Sequence, residues 1–328
     1  MRDIRVAAAQ FEHRDADRTY NLGRVAHLAQ RAAEAGAAVV AFHECCITGY
    51  TFQQHLDLEG FRALAESVPN GPSVLALQGI AGDLNIVVGA GLVEADPSGS
   101  FHNTYVVVDG TSVLARHRKL HTFLSPFHQP GDRYTVFEHG GVRFGVLTCY
   151  DNNLPENVRA TALLGAEVVL MPHVTGCLPS PMPGRGVVDP ALWLNRHRDP
   201  VRLRLEFQGP KGRGWLMKWL PARAWESGIY AVFSNPIGVD ADTIKPGLAM
   251  ILDPDGEILA ESSALDDDVV VGLLTSEAYE RASGRRYLRA RRPELYQPLV
   301  EPHPPGEPSV TLPGWRRAFD SPPPDAPR

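Results

Sequence analysis

Apolar residues follow two rhythms along the chain. Short unbroken runs, Ile4–Ala9, Ala38–Phe42, Asn85–Val88, Val142–Thr148, Val168–Met171, Tyr230–Ser234 and Leu248–Leu252, read as buried strands. Between them lie stretches of helical period. Asn21–Ala35 puts Leu22, Val25, Ala26, Leu28 and Ala29 on one side and stops at Gly36. Ser73–Ala81 is a second helix, and Pro155–Leu164 a third with proline in its first turn. Thr104–Val108 and Ser112–His117 read as neighbouring strands around Asp109-Gly110-Thr111, and Asp253-Pro254-Asp255-Gly256 is another turn. Strands alternating with helices predict an α/β architecture, and the adjacent strands without a helix between them argue against a purely parallel sheet.

Two regions break this rhythm. Thr175–Pro221 is long, weakly periodic and rich in Pro, Gly and Arg, which predicts an excursion from the core of the kind that shapes a site. Residues 301–328 hold 9 of the 28 prolines, a density that precludes helix or sheet and reads as a tail. The chain of 328 residues is long enough to bury a sizeable core. With 44% hydrophobic and 21% charged residues it is not a disordered chain. A net charge of −6 argues against nonspecific nucleic-acid binding as its main task. The four cysteines, Cys45, Cys46, Cys149 and Cys177, form no CxxC pair, so neither a disulfide framework nor a zinc ribbon is expected. No signal-peptide h-region and no run of about 18 apolar residues is present, so a cytoplasmic protein without a membrane span is expected.

Three residues could carry chemistry. Cys149 ends a strand shortly before a helix, where N–H groups favour a thiolate and can bind a developing oxyanion; the alternative is a buried, inert thiol. Glu44 follows the apolar run Ala38–Phe42, where a raised pKa would suit a general base; the alternative is a salt-bridged or capping carboxylate. Lys119, in Arg116-His117-Arg118-Lys119-Leu120-His121, could stabilise an oxyanion, although a charge run alone reads as a solvated face. His117 and His121 have metal-pair spacing for a helix, but the segment reads as strand and no HExxH glutamate accompanies them. Gly89-Ala90-Gly91 is half of a dinucleotide loop and is better explained by close backbone packing.

Taken together, the contexts of these residues resemble the nitrilase superfamily of carbon–nitrogen hydrolases. The matching stretches are Ala38–Tyr50, Asn103–Leu120 and Gly145–Pro172, with Arg223–Gly228 and Ser234-Asn235 resembling the family's later helix and strand. The resemblance implies a four-layer αββα sandwich over residues 1–275, with a C-terminal extension at 276–328. It implies Cys149 as nucleophile, Glu44 as general base, Lys119 as oxyanion support and the Tyr150 N–H as a second oxyanion donor. It also implies a small amide-type substrate, no cofactor or metal, and a homodimer or larger homo-oligomer.

One departure stands out. Many members carry a second glutamate between the Lys and the Cys, but His121–Asp132 contains none. His128 is a candidate substitute, and Glu206 of the excursion is another. Cys149-Tyr150-Asp151 followed by Pro155-Glu156 is closer to the amidase and carbamoyl-amidase branches than to true nitrilases. Where one branch grips a substrate carboxylate with paired arginines, this chain has Asn152 and Asn153, which either hydrogen-bond substrate or cap the next helix. Basic residues of the excursion, if they line the site, favour a substrate with a carboxylate or phosphate. The expected activity is hydrolysis of a small linear amide or N-carbamoyl compound through a thioester, releasing ammonia or an amine. The alternatives are a nitrilase and a catalytically weak binding member of the family.

Overall fold

The structure is a computed structural model that describes residues 1–179 and 185–301. Its strands are β1 (Ile4–Gln10), β2 (Val39–Ala41), β3 (Val87–Ala95), β4 (Phe101–Val108), β5 (Val113–Arg118), β6 (Thr135–His139) and β7 (Val142–Val146), then β8 (Val168–Pro172), β9 (Tyr230–Ser234), β10 (Ile237–Asp240), β11 (Thr243–Pro246), β12 (Met250–Leu252), β13 (Ile258–Glu261) and β14 (Asp268–Leu274). The helices are α1 (Arg18–Glu34), α2 (Leu58–Leu64), α3 (Pro72–Leu84), α4 (Pro155–Leu163), α5 (Pro190–Leu194), α6 (Pro200–Gln208), α7 (Arg213–Leu216), α8 (Leu220–Ser227), α9 (Ser276–Arg281), α10 (Ser283–Arg289) and α11 (Gln297–Val300).

Two six-stranded mixed sheets form the centre, in the orders β14-β1-β2-β3-β4-β5 and β13-β12-β9-β8-β7-β6. Each has three parallel strands at its middle, β1-β2-β3 and β7-β8-β9, with antiparallel strands on either side. The alternation within β1 explains the layering. Ala7 and Ala9 face Val25, Leu28 and Leu77 of α1 and α3, whereas Val6 and Ala8 join Val39, Val87, Tyr105, Phe144, Leu170 and Val232 between the sheets. On the far side Val158, Ala162, Leu220 and Ala224 of α4 and α8 cover Val169, Met171, Ala231 and Phe233. The result is a four-layer αββα sandwich. The central strands are apolar runs because both their faces are buried.

Local chemistry sets the helix ends. Asp17 caps α1 through the Tyr20 N–H at 3.0 Å, so the helix starts three residues before the expected Asn21. Pro155 occupies the first turn of α4, but the cap is Leu154 and no side chain bonds the helix end. Asn152 and Asn153 therefore do not cap it. Gly89-Ala90-Gly91 lies inside β3, and the glycines are required by close approach. A Cβ on Gly89 would sit 2.7 Å from the Tyr105 hydroxyl, and one on Gly91 would land on the Cys45 amide nitrogen.

The excursion holds α5, α6 and α7. It builds a satellite core from Cys177, Val188, Trp193, Leu203 and Phe207 against Ile237 and Ile244 of the β10-β11 hairpin. Beyond β14, α10 packs on α8, with the Tyr287 and Trp225 rings 5.4 Å apart. The proline-rich tail falls at residues outside the described ones, apart from Glu301. Among the described residues no helix is long and apolar enough to cross a membrane.

Candidate active site

Glu44 stands three residues past the end of β2, where the chain turns sharply through Cys45 at φ 47°. It is fully buried. Its Oε1 accepts two bonds of 2.6 Å, from Lys119 Nζ and from Asn103 Nδ2, while Oε2 has no hydrogen-bond partner. Asn103, on β4, also accepts the Lys119 backbone N–H at 2.8 Å and the Cys45 thiol at 3.5 Å. One side chain and its carbonyl thus hold both members of the ion pair.

Lys119 owes its direction to strand alternation. Arg116 and Arg118 of β5 point outward to Glu94, whereas His117 and Lys119 point inward and are buried. The Lys119 ammonium lies 3.4 Å from the Tyr50 hydroxyl and 5.0 Å from the centre of the Phe123 ring. Burial alone would lower its pKa; Glu44 and the other nearby acidic groups outweigh that and hold it well above the ordinary lysine value. It is therefore a permanent cation.

Cys149 has φ 51°, a left-handed conformation unusual for a side chain with a Cβ, at the start of a 3-10 turn running to Asn153. Its thiol contacts the Val174 carbonyl at 3.8 Å, just past the end of β8. Burial, and then the charge of Glu44, push the thiol pKa up to about 12, with Lys119 opposing. This corrects the expectation that N–H groups at the turn favour a resting thiolate. α4 begins only at Pro155, and the low-dielectric surroundings dominate, so the resting group is the neutral thiol.

Asp151 ties the Lys and Cys segments together. Oδ1 accepts the His121 N–H at 2.9 Å and faces His121 Nδ1 at 2.8 Å. Oδ2 accepts the N–H groups of Leu120 at 3.1 Å and Thr148 at 3.2 Å and lies 3.4 Å from His117 Nε2. Burial would raise its pKa, but the bonds to His117 and His121, and then the charges of His117 and Lys119, hold it well below the carboxylate range. The two histidines are thus engaged with this carboxylate. The Tyr150 ring packs edge-on between His121 and Phe123, at 6.1 and 5.6 Å.

The other sequence candidates lie as follows. Asn152 is buried and spends both amide hydrogens on the Leu147 carbonyl at 2.7 Å and on His173 Nε2 at 3.2 Å. The Asn153 backbone carbonyl accepts Arg223 at 2.7 Å, which fixes the turn from outside. His128 is buried edge-on to Phe61 with Nε2 unbonded; burial first, then the Lys119 charge, bring its pKa down to about 3. Glu206 pairs with Lys211 of its own excursion at 2.6 Å. The structure thus brings Glu44, Lys119, Cys149 and Tyr150 to one place and leaves Glu206 outside it.

A second buried network backs the Glu44 turn. His43 Nε2 lies 3.1 Å from His13 Nδ1, His13 Nε2 lies 3.3 Å from Asp240, and Lys245 lies 3.5 Å from the same carboxylate. Donor atoms of His13, Asp15 and Asp240 are close enough together to hold a cation, and the Lys245 ammonium already supplies positive charge there. Sequence reasoning assigned no role to Asn103, Asp151 or Asn235. Only the last had a signal, the Ser234-Asn235 pair after a strand. Asn235 accepts the Thr175 N–H at 2.8 Å and donates to the Thr175 and Gly247 carbonyls at 3.1 and 3.0 Å, which fixes the segment that meets the thiol.

A stacked pair of mixed sheets, with a buried Glu–Lys pair at the strand ends of one and a cysteine turn after a strand of the other, defines a site built across two layers. The chain belongs to the carbon–nitrogen hydrolase family, whose model matches residues 5–282. It is 30% identical over 305 residues to a hydrolase encoded in the pqqF 5' region of Pseudomonas protegens, covering 91% of this chain and 93% of that protein. It is 29% identical to an (R)-stereoselective amidase of Pseudomonas sp, covering 92% and 96%. Among solved structures it resembles a cysteine-to-alanine variant of the Nesterenkonia AN1 amidase from the nitrilase superfamily, at 25% identity and a TM-score of 0.66, covering 90% of this chain and 97% of that one.

Proposed function

We propose that this enzyme is an amidase or N-carbamoyl amidase in which Cys149 attacks the substrate carbonyl carbon, Glu44 moves the protons and Lys119 stabilises the oxyanion. The observation that carries the reading is the buried Lys119–Glu44 contact of 2.6 Å, which leaves Glu44 Oε2 open beside a neutral thiol. With a thiol pKa near 12, attack needs a base at the moment of reaction, and the open carboxylate oxygen is that base. The thiol proton passes to Glu44 as the C–S bond forms. The carbonyl oxygen takes the negative charge, facing the Lys119 ammonium and the Tyr150 N–H. Glu44 returns the proton to the leaving nitrogen, and ammonia or an amine departs from a thioester. Water then attacks the thioester as Glu44 takes its proton, and the acid and the free thiol are released. Asn103 and Asp151 act by positioning these groups. His128, kept neutral by burial, stands in for the missing loop carboxylate in orienting the substrate amide or the water. Names of relatives support the amide reading, among them the (R)-stereoselective amidase and an N-carbamoylputrescine amidase of Solanum lycopersicum.

The test is ammonia release from short amides, N-carbamoyl compounds and nitriles by the wild type, Cys149→Ala and Glu44→Gln. Turnover of amides or carbamoyl compounds, reduced at least 10³-fold in each variant, is expected. Turnover of nitriles alone, or unchanged activity in Cys149→Ala, sinks the reading. Exposed Leu163, Leu164 and Trp225 on the outer layer near α4 and α8 support a homo-oligomer. A light-scattering mass near 35.8 kDa would contradict it.

A further inference from the structure

Among the described residues, the buried lysines around the site are compensated and a half-buried arginine is not. Lys119 has Glu44, and Lys245 has Asp240. Arg185, in the excursion, has no carboxylate within ion-pair distance among the described residues. Its guanidinium lies over Trp215, 3.5 Å from the ring centre, which holds it in place. Its Nε is buried and unbonded, and Nη1 makes only a long contact of 3.4 Å to Thr175 Oγ1. Thr175 follows Val174, whose carbonyl contacts the Cys149 thiol, and Asn235 clamps the Thr175 backbone from both sides. The guanidinium therefore contacts the residue next to the one whose carbonyl meets the thiol. The two groups are electrostatically coupled: burial brings the Arg185 pKa down to about 10, while Cys149 and Cys177 oppose the shift.

A guanidinium withdrawn from water, preoriented on an aromatic plane and short of acceptors is costly to keep unless an anion completes it. Its two-pronged donor edge matches a carboxylate.

We propose that Arg185 binds a carboxylate of the substrate, so that the enzyme acts on amides or N-carbamoyl compounds that also carry a free acid group. This rests on the reading of Cys149 as the nucleophile, which places the reacting carbon near Val174. The aromatic platform makes Arg185 a specificity residue built into the long excursion.

Two measurements test it. Glutarate, resembling the product of an ω-amide acid, is titrated by calorimetry into the Cys149→Ala protein with and without Arg185→Met. Binding that weakens at least 30-fold in the double variant is expected; absence of glutarate binding to Cys149→Ala overturns the proposal. Separately, kcat/KM is measured for glutaramate and for the neutral isostere valeramide. The wild type should prefer glutaramate, and Arg185→Met should cut that preference about 100-fold, with Arg185→Lys recovering part of it. Arg185→Met lowering both substrates in parallel would mean a structural role and overturns the proposal, as does a wild type that prefers valeramide. Cys149-dependent valeramide turnover with no acid preference leaves the amidase reading standing without this one. Glutarate binding through Arg185 with no amide turnover does the reverse.

Discussion

Asp151→Asn is the substitution that separates geometry from chemistry at this site. The variant keeps the shape of the side chain but replaces one oxygen with an NH2 group. Whichever way the amide turns, that group faces backbone donors: the His121 N–H on one side, or the Leu120 and Thr148 N–H groups on the other. One or two of the backbone bonds are lost, depending on how the amide turns, and the remaining contacts lose their charge assistance. A hydrogen bond to a charged group is worth roughly 1.5–3 kcal/mol, so the loss should be about 2–5 kcal/mol. The functional effect follows from chain position. Leu120 is the neighbour of Lys119, and Thr148 is the neighbour of Cys149, so releasing them lets cation and nucleophile drift apart. A misplacement on the order of 1 Å costs roughly 10²-fold in rate. The assay is urea unfolding of both proteins at matched slope, with kcat measured on the best amide substrate. Asp109→Asn is the control, because Asp109 also accepts several bonds but does so in a surface turn, and its loss should stay within about 1 kcal/mol. An Asp151→Asn protein that unfolds within 1 kcal/mol of the wild type and turns over at the same rate would refute the clamp.

Further outcomes follow from the same structure. Burial lowers the pKa of His43, His128 and His173, so the unfolded chain binds protons below its ordinary histidine value of about 6.5 that the folded chain refuses. Their contribution is complete above that value and drains as the pH falls toward the folded values. The unfolding free energy from urea titration should therefore drop from pH 6.5 to 4.5, by up to about 1.4 kcal/mol per unit for each histidine, and His128→Phe should make the slope shallower by one proton; a flat profile would contradict this. Gly91→Ala should lower the melting temperature and the activity together, because its Cβ meets the Cys45 amide nitrogen beside Glu44. Gly79→Ala, on α3 with open space around it, should be neutral or stabilising, and calorimetry compares the two. His128→Gln should reduce kcat more than KM if the imidazole orients the amide or the water, and an unchanged kcat would remove it from the mechanism.

The strands and helices that the sequence made plain are those whose two-sided burial leaves an unbroken apolar run, such as β1, β8 and β9, or whose ends carry a cap or proline, such as α1 and α4. The family resemblance supplied the layer order, which no local pattern contains. β14 escaped notice because its role is to add an antiparallel edge to β1, with Ile4 opposite Leu274, a pairing between the two ends of the domain. In α6 the residues from Val201 to Phe207 alternate as a strand would, yet Pro200 at the first turn and the i,i+4 pair Leu203 and Phe207 make a helix. The site shows the same division. Lys119 belongs to a charge run, but the period-2 alternation of β5 already implies that every second residue of it turns inward. Glu44, Lys119 and Cys149 lie far apart in sequence, and their meeting is a property of sheet stacking. Asp151, Asn103 and Arg185 were not legible because their importance lies in what they touch.

The three side chains proposed to react do not come from one sheet. Glu44 and Lys119 leave the ends of β2 and β5, whereas Cys149 and Val174 follow β7 and β8 in the other layer. Ser234 of β9 reaches across to the Ala41 carbonyl at 2.8 Å, and Asp151 reaches across to β5 and the residues after it. Neither half can therefore display a competent reaction centre in isolation. During refolding, secondary structure can mature within each layer while hydrolysis stays silent, and turnover can begin only once the layers have seated in register. Recovery of activity is thus a built-in clock for the last assembly step, distinct from any spectroscopic signal of helix or sheet formation.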